Sequence, residues 1–191
     1  MTGNEIANNY IEQLKDVLDA FPHGQFGKIV DAFLDAHNDE KQIFVMGNGG
    51  SASTAAHLSC DINKGVSFGN EKRFKVMCLN DNIPTMLAYA NDLTYEDVFL
   101  EQLKNFFRVG DVVTGISASG NSENVFQAIN TAKEKGIHTL LLSGKDGGKI
   151  KEVADDSLII PHENTARIQE AHITIGHIIC LLVENKLFKN N

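Results

Sequence analysis

Short apolar runs alternate with helical segments along most of this chain, and that alternation constrains the fold more than any other feature. In the helical segments, apolar residues return at the period of about 3.6 that is typical of a half-buried helix. The apolar runs are Ile43–Met46, Val76–Leu79, Val112–Ile116, Thr139–Leu142 and Leu158–Ile160. The helical segments that alternate with them lie near Ser51–Asn63, Pro84–Ala90, Val98–Phe107, Asn124–Lys135 and Gly148–Val153. The pattern predicts an α/β fold in which helices cover both faces of a parallel sheet, as one domain over residues 1–191.

Three further helices lie outside this alternation. Two of them, Asn4–Phe21 and Phe26–His37, precede the first apolar run, and a long one, near Thr165–Lys186, ends the chain. An amphipathic helix needs an apolar surface to pack on, and a helix pair outside an α/β core commonly finds it on a neighbouring subunit. The N-terminal helices therefore predict an oligomer.

Composition and charge exclude several classes of protein. The 191 residues carry a formal net charge of −8 with no basic stripe, so nucleic acid is not predicted as a partner. No apolar run approaches the ~20 residues that span a bilayer, and the polar, acidic first fifteen residues do not resemble a signal peptide. Cys60, Cys78 and Cys180 form no C-x-x-C pair. They predict reduced, buried thiols in a cytoplasmic protein.

Residues 47–53, Gly-Asn-Gly-Gly-Ser-Ala-Ser, directly follow the first apolar run. A strand, a glycine turn and a helix N-terminus together form an anion site, because backbone N–H groups point outward and glycine lets a phosphate approach closely. The next helix carries His57 and Asp61 four residues apart, on one face. By itself this pair is also typical of an ordinary solvated helix. Beside a phosphate site, however, two acid/base or metal-binding groups favour sugar-phosphate chemistry.

A second polar loop follows the third apolar run and carries Ser117, Ser119 and Ser122. Ligands bind at the carboxyl ends of strands in open α/β sheets, and serine hydroxyls donate hydrogen bonds to phosphate oxygens. The alternative is that Ser122 is an ordinary N-cap and the other two are turn residues. Three hydroxyls at one strand-to-helix turn favour phosphate binding. Neither loop matches a nucleotide P-loop, so no nucleotide cofactor is predicted.

Polar side chains interrupt the otherwise apolar final helix. Gln169, His172 and His177 lie there, accompanied by Arg167 and Glu170. Polar groups on an apolar helix need partners, so these residues either satisfy one another structurally or line a site. A single such histidine is more often structural, whereas five polar residues within eleven favour a site.

In this order, the motifs resemble those of the sugar isomerase (SIS) domain proteins and, within them, the phosphoheptose isomerases. The likeness extends over almost the whole chain. Its markers are Gly47-Asn48-Gly49-Gly50-Ser51, His57, Ala90-Asn91-Asp92 with Tyr95, Gly110-Asp111-Val112, the loop 117–122, Gly144-Lys145-Asp146-Gly147-Gly148, Arg167-Ile168-Gln169-Glu170-Ala171-His172 and His177. The resemblance implies a flavodoxin-like three-layer sandwich with a central five-stranded parallel sheet, extra N-terminal helices and a long C-terminal helix.

The same resemblance implies conversion of the ketose sedoheptulose 7-phosphate to D-glycero-D-manno-heptose 7-phosphate, a first step toward nucleotide-activated heptose for lipopolysaccharide or other surface glycans. It also implies a homotetramer with active sites between subunits and one zinc ion per subunit. The implied zinc ligands are His57, Asp61, Gln169 and His177. The implied substrate-binding residues are Asn48, Gly49, Gly50, Ser51, Asp61, Asn91, Asp92, Ser117, Ala118, Ser119, Ser122 and Gln169. Proton transfer between C1 and C2 through an ene-diol needs a base and an acid, for which Asp61 and His177 are the candidates.

The chain departs from the family pattern in the helix that carries Asp61. The family usually has glutamate at that position and often arginine at the position of Gly65, next to which this chain has Lys64. These differences leave the isomerisation of another sugar phosphate as an alternative function. Two further alternatives are a non-catalytic adaptor that binds a replication initiator protein and a sugar-phosphate-sensing regulatory domain. The retained histidines and glutamine argue against the adaptor, and the chain length leaves no room for an attached DNA-binding module.

Overall fold

A computed structural model describes residues 1–189, so residues 190–191 of the predicted domain lie outside the described residues. The strands are β1 (Gln42–Gly47), β2 (Lys75–Cys78), β3 (Val112–Ser117), β4 (His138–Gly144) and β5 (Asp156–Ile160). They form one parallel sheet in the order β2-β1-β3-β4-β5, which is the flavodoxin-like order. The predicted α/β fold class and five-stranded parallel sheet are confirmed.

The helices cover both faces of this sheet, as predicted. Within residues 1–189 they are α1 (Gly3–Asp19), α2 (His23–Asn38), α3 (Gly50–Cys60), α4 (Ile83–Asp92), α5 (Val98–Phe106), α6 (Glu123–Glu134), α7 (Gly148–Lys151) and α8 (Thr165–Glu184). One apolar core joins the sheet to α2, α3 and α8, and the other joins it to α5, α6 and α7. Because β1 and β3 are neighbours, the N-termini of α3 and α6 both lie at the carboxyl edge of these two strands, one on each face of the sheet.

Side-chain caps define where several of these helices begin. Thr2 and Glu5 form a capping box at the start of α1, each accepting a hydrogen bond from the other's backbone N–H. Asn164 caps α8 by accepting from the N–H groups of Ala166 and Arg167. Because these caps satisfy N–H groups that lack a helical partner, they fix the start of each helix.

The helix that carries His57 ends earlier than its sequence pattern predicts. It is α-helical to Cys60 and continues as a π-helical turn over Asp61–Val66. Asn63 stabilises this wider turn against the edge strand, since its Nδ2 donates to Val76 O at 2.7 Å and its Oδ1 accepts from Val76 N at 3.2 Å. Asp61 therefore lies at the junction between the two helical forms, a kind of place where functional sites are frequent.

The first helix is mostly exposed. Of its seventeen residues only Val17 is buried, and the apolar side chains of Ile6, Tyr10 and Ile11 remain accessible. An amphipathic helix that buries so little of its apolar face in one subunit favours packing against another subunit. The predicted oligomer stays a prediction.

The last helix, α8, begins and ends close to its predicted bounds, at Thr165 and Glu184, and it is strongly apolar. Among the described residues, segment 165–188 contains an 18-residue window with a mean hydropathy of 1.2, so by length and composition alone this helix would be able to cross a membrane. The longest uninterrupted apolar run in this segment is residues 178–183, far below the ~20 residues that span a bilayer, in agreement with the expectation. Ile168, Ile175 and Ile179 are buried in the core beside the sheet, α2 and α3. Packing against this core accounts for part of the hydropathy of α8, since 33% of the window is buried.

The prediction of three buried thiols is only partly right. All three cysteines are free, but Cys60 is exposed and Cys180 is half-buried at the edge of the core. Burial raises the pKa of Cys78 to about 11 and that of Cys180 to about 12. These two side chains therefore stay protonated thiols at neutral pH.

Candidate active site

The glycine turn after β1 brings the backbone very close to its neighbours. A Cβ on Gly47 would lie 2.8 Å from the carbonyl carbon of Ser51 and 2.9 Å from Ile116 O, so only glycine fits. Gly49 has a φ of +54°, which also favours glycine. Asn80, at the end of β2, holds Gly47 through both backbone groups, at 2.9 and 3.2 Å. The sequence does not predict this role of Asn80, because its partner Gly47 lies 33 residues away in the chain.

The glycine loop (residues 47–53) and the serine loop (residues 117–122) meet at one small pocket of about 170 Å³. Seven of the predicted substrate-binding residues line it, namely Asn48, Ser51, Ser117, Ala118, Ser119, Ser122 and Gln169. The pocket lies where β1 and β3 end, at the carboxyl edge of the sheet. Its walls combine hydroxyl and amide groups with the start of two helices, which is the composition of an anion-binding site.

The serine hydroxyls are arranged differently from ordinary helix caps. Ser122 occupies the N-cap position of α6 but makes no capping hydrogen bond, and its Oγ lies 3.0 Å from Ser117 Oγ instead. Ser119 does act as a turn residue, since its Oγ accepts from Asn121 N at 3.2 Å. The turn interpretation therefore describes Ser119 in part, whereas Ser117 and Ser122 present paired hydroxyls to the pocket.

A second glycine turn supports the serine loop from behind. Gly120 has a φ of +65°, and a Cβ there would lie 1.9 Å from Gly147 O. Gly148 packs back on Gly120 O, which also accepts from Ile150 N at 3.0 Å. This backbone-to-backbone contact explains why the sequence has paired glycines before α7.

His57, Asp61 and His177 converge beside this pocket. His57 Nε2 lies 3.0 Å from His177 Nε2 and 3.1 Å from Asp61 Oδ2, and His177 Nε2 lies 3.6 Å from the same oxygen. All three side chains are partly exposed, so the cluster opens to solvent. Ligand atoms of a tetrahedral zinc site, with bonds of about 2.0–2.1 Å, lie about 3.3–3.4 Å apart. The two imidazoles and the carboxylate therefore fit three corners of such a site.

Gln169 connects the cluster and the pocket. Its side chain packs against Gly50, and it lines both the serine-loop pocket and a second one shared with His57, Ser53 and Thr54. It lies on α8, about two helical turns before His177. This position agrees with a role in binding metal or substrate, and the assignment of Gln169 as a fourth ligand stays a prediction.

Replacing Gly50 by alanine is expected to lower kcat/KM by about 10- to 100-fold and to leave the fold intact. The new Cβ would lie 2.4 Å from Gln169 Oε1, so it displaces the end of a flexible side chain and leaves the backbone in place. Steady-state kinetics and the Tm check this. Gly27→Ala is the matched control, because a Cβ there meets nothing within 4 Å. Unchanged kinetics in Gly50→Ala would mean that the position of Gln169 does not matter for turnover.

Asn91 and Asp92, the other predicted substrate-binding pair, lie at the end of α4. Both are exposed, and Asn91 Nδ2 donates to Asp92 Oδ1 at 2.8 Å. Their connection to the glycine loop runs through Tyr95, whose hydroxyl donates to Asn48 Oδ1 at 2.8 Å. Contact of Asn91 and Asp92 with a substrate stays a prediction.

The remaining polar residues of α8 divide into two groups. Arg167 is buried, lies over the ring of Tyr10, and pairs with Glu170 through NH1 and Oε2 at 3.1 Å. The Tyr10 hydroxyl donates to Glu170, and this hydrogen bond raises the pKa of Tyr10. Arg167 and Glu170 thus anchor α1 on α8.

His172 has a different environment, because it is completely buried. Its Nε2 donates to Ser143 O at 3.0 Å, and burial lowers its pKa to about 4. The imidazole is therefore neutral at physiological pH and holds α8 against β4. The sequence alone leaves the roles of Arg167, Glu170 and His172 open, and in the structure all three make packing contacts.

A doubly covered parallel sheet with a polar pocket at its carboxyl edge and a His-Asp-His cluster beside it is typical of α/β proteins that bind phosphorylated small molecules. Residues 9–144 match the model of the SIS domain. The chain belongs to the SIS domain family, and the resemblance noted in the sequence is confirmed.

The most similar relatives include several phosphoheptose isomerases. The one from Clostridium acetobutylicum is 39% identical over 189 residues, which cover 94% of this chain and 96% of that protein. The one from Citrifermentans bemidjiense is 45% identical over 160 residues, covering 83% of this chain and 82% of that protein. The solved structure of phosphoheptose isomerase GmhA from Neisseria gonorrhoeae has a TM-score of 0.87 at 31% identity, covering 95% of this chain and 98% of that chain.

Proposed function

We propose that this protein is a phosphoheptose isomerase, which converts sedoheptulose 7-phosphate to D-glycero-D-manno-heptose 7-phosphate. The observation that carries the proposal is the cluster of His57, Asp61 and His177 beside a pocket of serine hydroxyls and helix N-termini. Relatives at 39–45% identity that bear this name support it. The product supplies nucleotide-activated heptose for lipopolysaccharide or other surface glycans.

The reaction moves a proton between C1 and C2, so it needs a base close to carbon and an acid close to oxygen. Asp61 is proposed as the base. It faces both imidazoles through Oδ2, which leaves its second oxygen to take the proton. His177 is proposed as the acid, because its half-exposed ring lies in the same cluster. When its Nε2 holds the metal, the proton that it gives would be the one on Nδ1. The internal redox change requires no nicotinamide or flavin.

The sugar phosphate is proposed to bind across the two loops. Ser117, Ser119 and Ser122 donate hydroxyl hydrogen bonds to the phosphate, and the N-terminus of α6 adds its dipole. Asn48 and Ser51 contact the sugar from the opposite wall of the pocket. Gly49, Gly50, Ala118, Asn91 and Asp92 complete the proposed set.

Zinc is proposed as the resident metal, one ion per subunit. His57, Asp61 and His177 would hold it, with Gln169 as the fourth ligand, because nitrogen and carboxylate donors suit zinc. When bound, zinc would polarise the substrate carbonyl as a Lewis acid.

The active protein is proposed to be a cytoplasmic homotetramer with sites between subunits. The exposed apolar residues Ile6 and Ile11 on α1 and Leu181 on α8 support an extensive interface. The pairing of Tyr10 with Glu170 places α1 next to the helix that carries the site residues. A neighbouring subunit that covers α1 would therefore also lie close to the site.

Turnover in deuterated water tests the proposed function. The purified protein is incubated with sedoheptulose 7-phosphate, with and without a chelator, and the products are followed by NMR. We expect deuterated aldoheptose phosphate that disappears with chelator and returns with added zinc. No product from the folded, zinc-supplemented protein would contradict the proposal. A panel of other sugar phosphates and a binding assay with a replication initiator protein would then separate the alternatives.

A further inference from the structure

The side chain of Asn48 is held from two sides by residues that the proposed reaction does not otherwise use. The Tyr95 hydroxyl donates to Asn48 Oδ1 at 2.8 Å. Asn124, the second residue of α6, exchanges two hydrogen bonds with the same carboxamide, at 2.8 and 3.0 Å. Asn124 is itself buried, so it forms a fixed support.

These contacts permit only one orientation of the Asn48 amide. Asn124 Oδ1 accepts from Val125 N at 2.9 Å, so an NH₂ group cannot occupy that position. The same oxygen accepts from Asn48 Nδ2, and Asn124 Nδ2 donates to Asn48 Oδ1. The Tyr95 hydroxyl donates to that oxygen as well, which uses both of its lone pairs.

One polar group of Asn48 remains available. Of the two N–H groups on Nδ2, one donates to Asn124, and among the described residues the other has no hydrogen-bond partner. Asn48 lines the pocket together with Ser119 and Gln169. The free N–H is therefore a donor with a set direction for an oxygen of the bound sugar phosphate.

Tyr95 also ties together two segments that are distant in sequence. It lies in a 3-10 turn three residues after Asp92, and its partner Asn48 lies 47 residues earlier. The hydrogen bond therefore holds the segment 91–95 against the glycine loop.

We propose that Tyr95 and Asn124 are positioning residues that fix the Asn48 carboxamide so that one N–H faces the substrate. The proposal rests on the proposed function. Tyr95 acts through Asn48 and does not touch the substrate.

A double-mutant cycle tests the proposal. Tyr95→Phe keeps the ring and removes only the hydroxyl. We expect this variant to raise KM about tenfold and to keep kcat within about twofold of the wild-type value, because Asn48 binds the substrate equally in the ground state and in the transition state. In an Asn48→Ala background the same substitution is expected to change KM by less than about twofold. Tyr89→Phe is the matched control, since that hydroxyl accepts a hydrogen bond from Asn105 at 3.3 Å, outside the pocket.

Two outcomes would overturn the proposal. One is no effect of Tyr95→Phe on KM, and the other is an equal loss in both backgrounds, which would indicate direct substrate contact or a packing role. The Tm of the same four proteins gives a readout independent of activity. We expect Tyr95→Phe to lower the Tm by about 2–4 °C only where Asn48 is present. A wild-type protein that does not turn over sedoheptulose 7-phosphate would contradict the proposed function. In that case the double-mutant cycle, measured by Tm alone, would still decide whether Tyr95 and Asn48 are coupled.

Discussion

Replacing Asp61 by asparagine is expected to lower kcat by about 10²–10⁴-fold and to stop deuterium exchange at the substrate carbon. Asparagine has the size of aspartate but cannot take up a proton at neutral pH. It also lacks the negative charge that lies 3.1 Å from His57 and 3.6 Å from His177. Exchange from deuterated water, followed by NMR, measures the proton transfer directly.

The zinc content of the variant separates the two roles of Asp61. A variant that binds zinc like the wild type but exchanges no deuterium identifies Asp61 as the base. A variant that loses both identifies it first as a metal ligand. Asp39→Asn removes one exposed carboxylate at the end of α2 and is the matched control for charge. Wild-type exchange in Asp61→Asn would mean that another group is the base.

The aspartate at this position reaches the cluster despite its short side chain. In the family pattern a glutamate is usual there, and the missing methylene suggests a gap of about one bond length. The structure shows no such gap, because Asp61 Oδ2 contacts His57 Nε2 at 3.1 Å. Asp61 still has α-helical dihedral angles at the end of α3, so it lies one turn after His57 on the same helix face, and its carboxylate reaches the imidazole. Lys64 and Gly65 lie exposed in the π-helical turn over Asp61–Val66. They differ from the family pattern, so another sugar phosphate stays an alternative substrate.

The sequence predicts the sheet, its helices and the two loops because each depends on local pattern. Apolar runs set the strands, and glycines and serines at strand ends set the turns. The junction at Asp61 is not visible in the sequence, because the buried residues of the π-helical turn, Ile62 and Val66, are four apart, as they would be in an α-helix. The partner of Gly47 is 33 residues away and that of Tyr10 is 160 residues away. Such pairs follow from strand order and helix packing, which no local pattern encodes.

Asn48 illustrates which property of a single residue the sequence predicts and which property only the fold determines. Its place in the glycine loop predicts a role in binding; in the structure it lines the serine-loop pocket, and the binding role stays a prediction. The direction of its amide is set by Tyr95, from the 3-10 turn after α4, and by Asn124, from the first turn of α6. The sequence therefore identifies the binding group, whereas only the fold determines how that group is oriented.

The free energy of unfolding is expected to fall by about 3 kcal/mol as the pH is lowered from 6.5 to 4, because of His172. Its Nε2 donates to Ser143 O, so a second proton has to go to Nδ1. Nδ1 is buried and has no hydrogen-bond partner among the described residues. Burial accordingly lowers the pKa of the folded protein's imidazole to about 4, from an ordinary value of 6.5.

The sign follows from which state takes up the proton. Above pH 6.5 the His172 imidazole is neutral in both the folded and the unfolded state, and its full contribution to the free energy of unfolding is present. Between pH 6.5 and 4 this imidazole is protonated only in the unfolded chain, so the free energy of unfolding falls over that window. Chemical denaturation of the metal-free protein at pH 7, 5.5 and 4.5 measures the change. His172→Gln is the control, since its amide keeps a donor for Ser143 O and does not titrate. A pH dependence of equal size in both proteins would show that other groups cause it, whereas a flatter curve in His172→Gln assigns the loss to this buried imidazole.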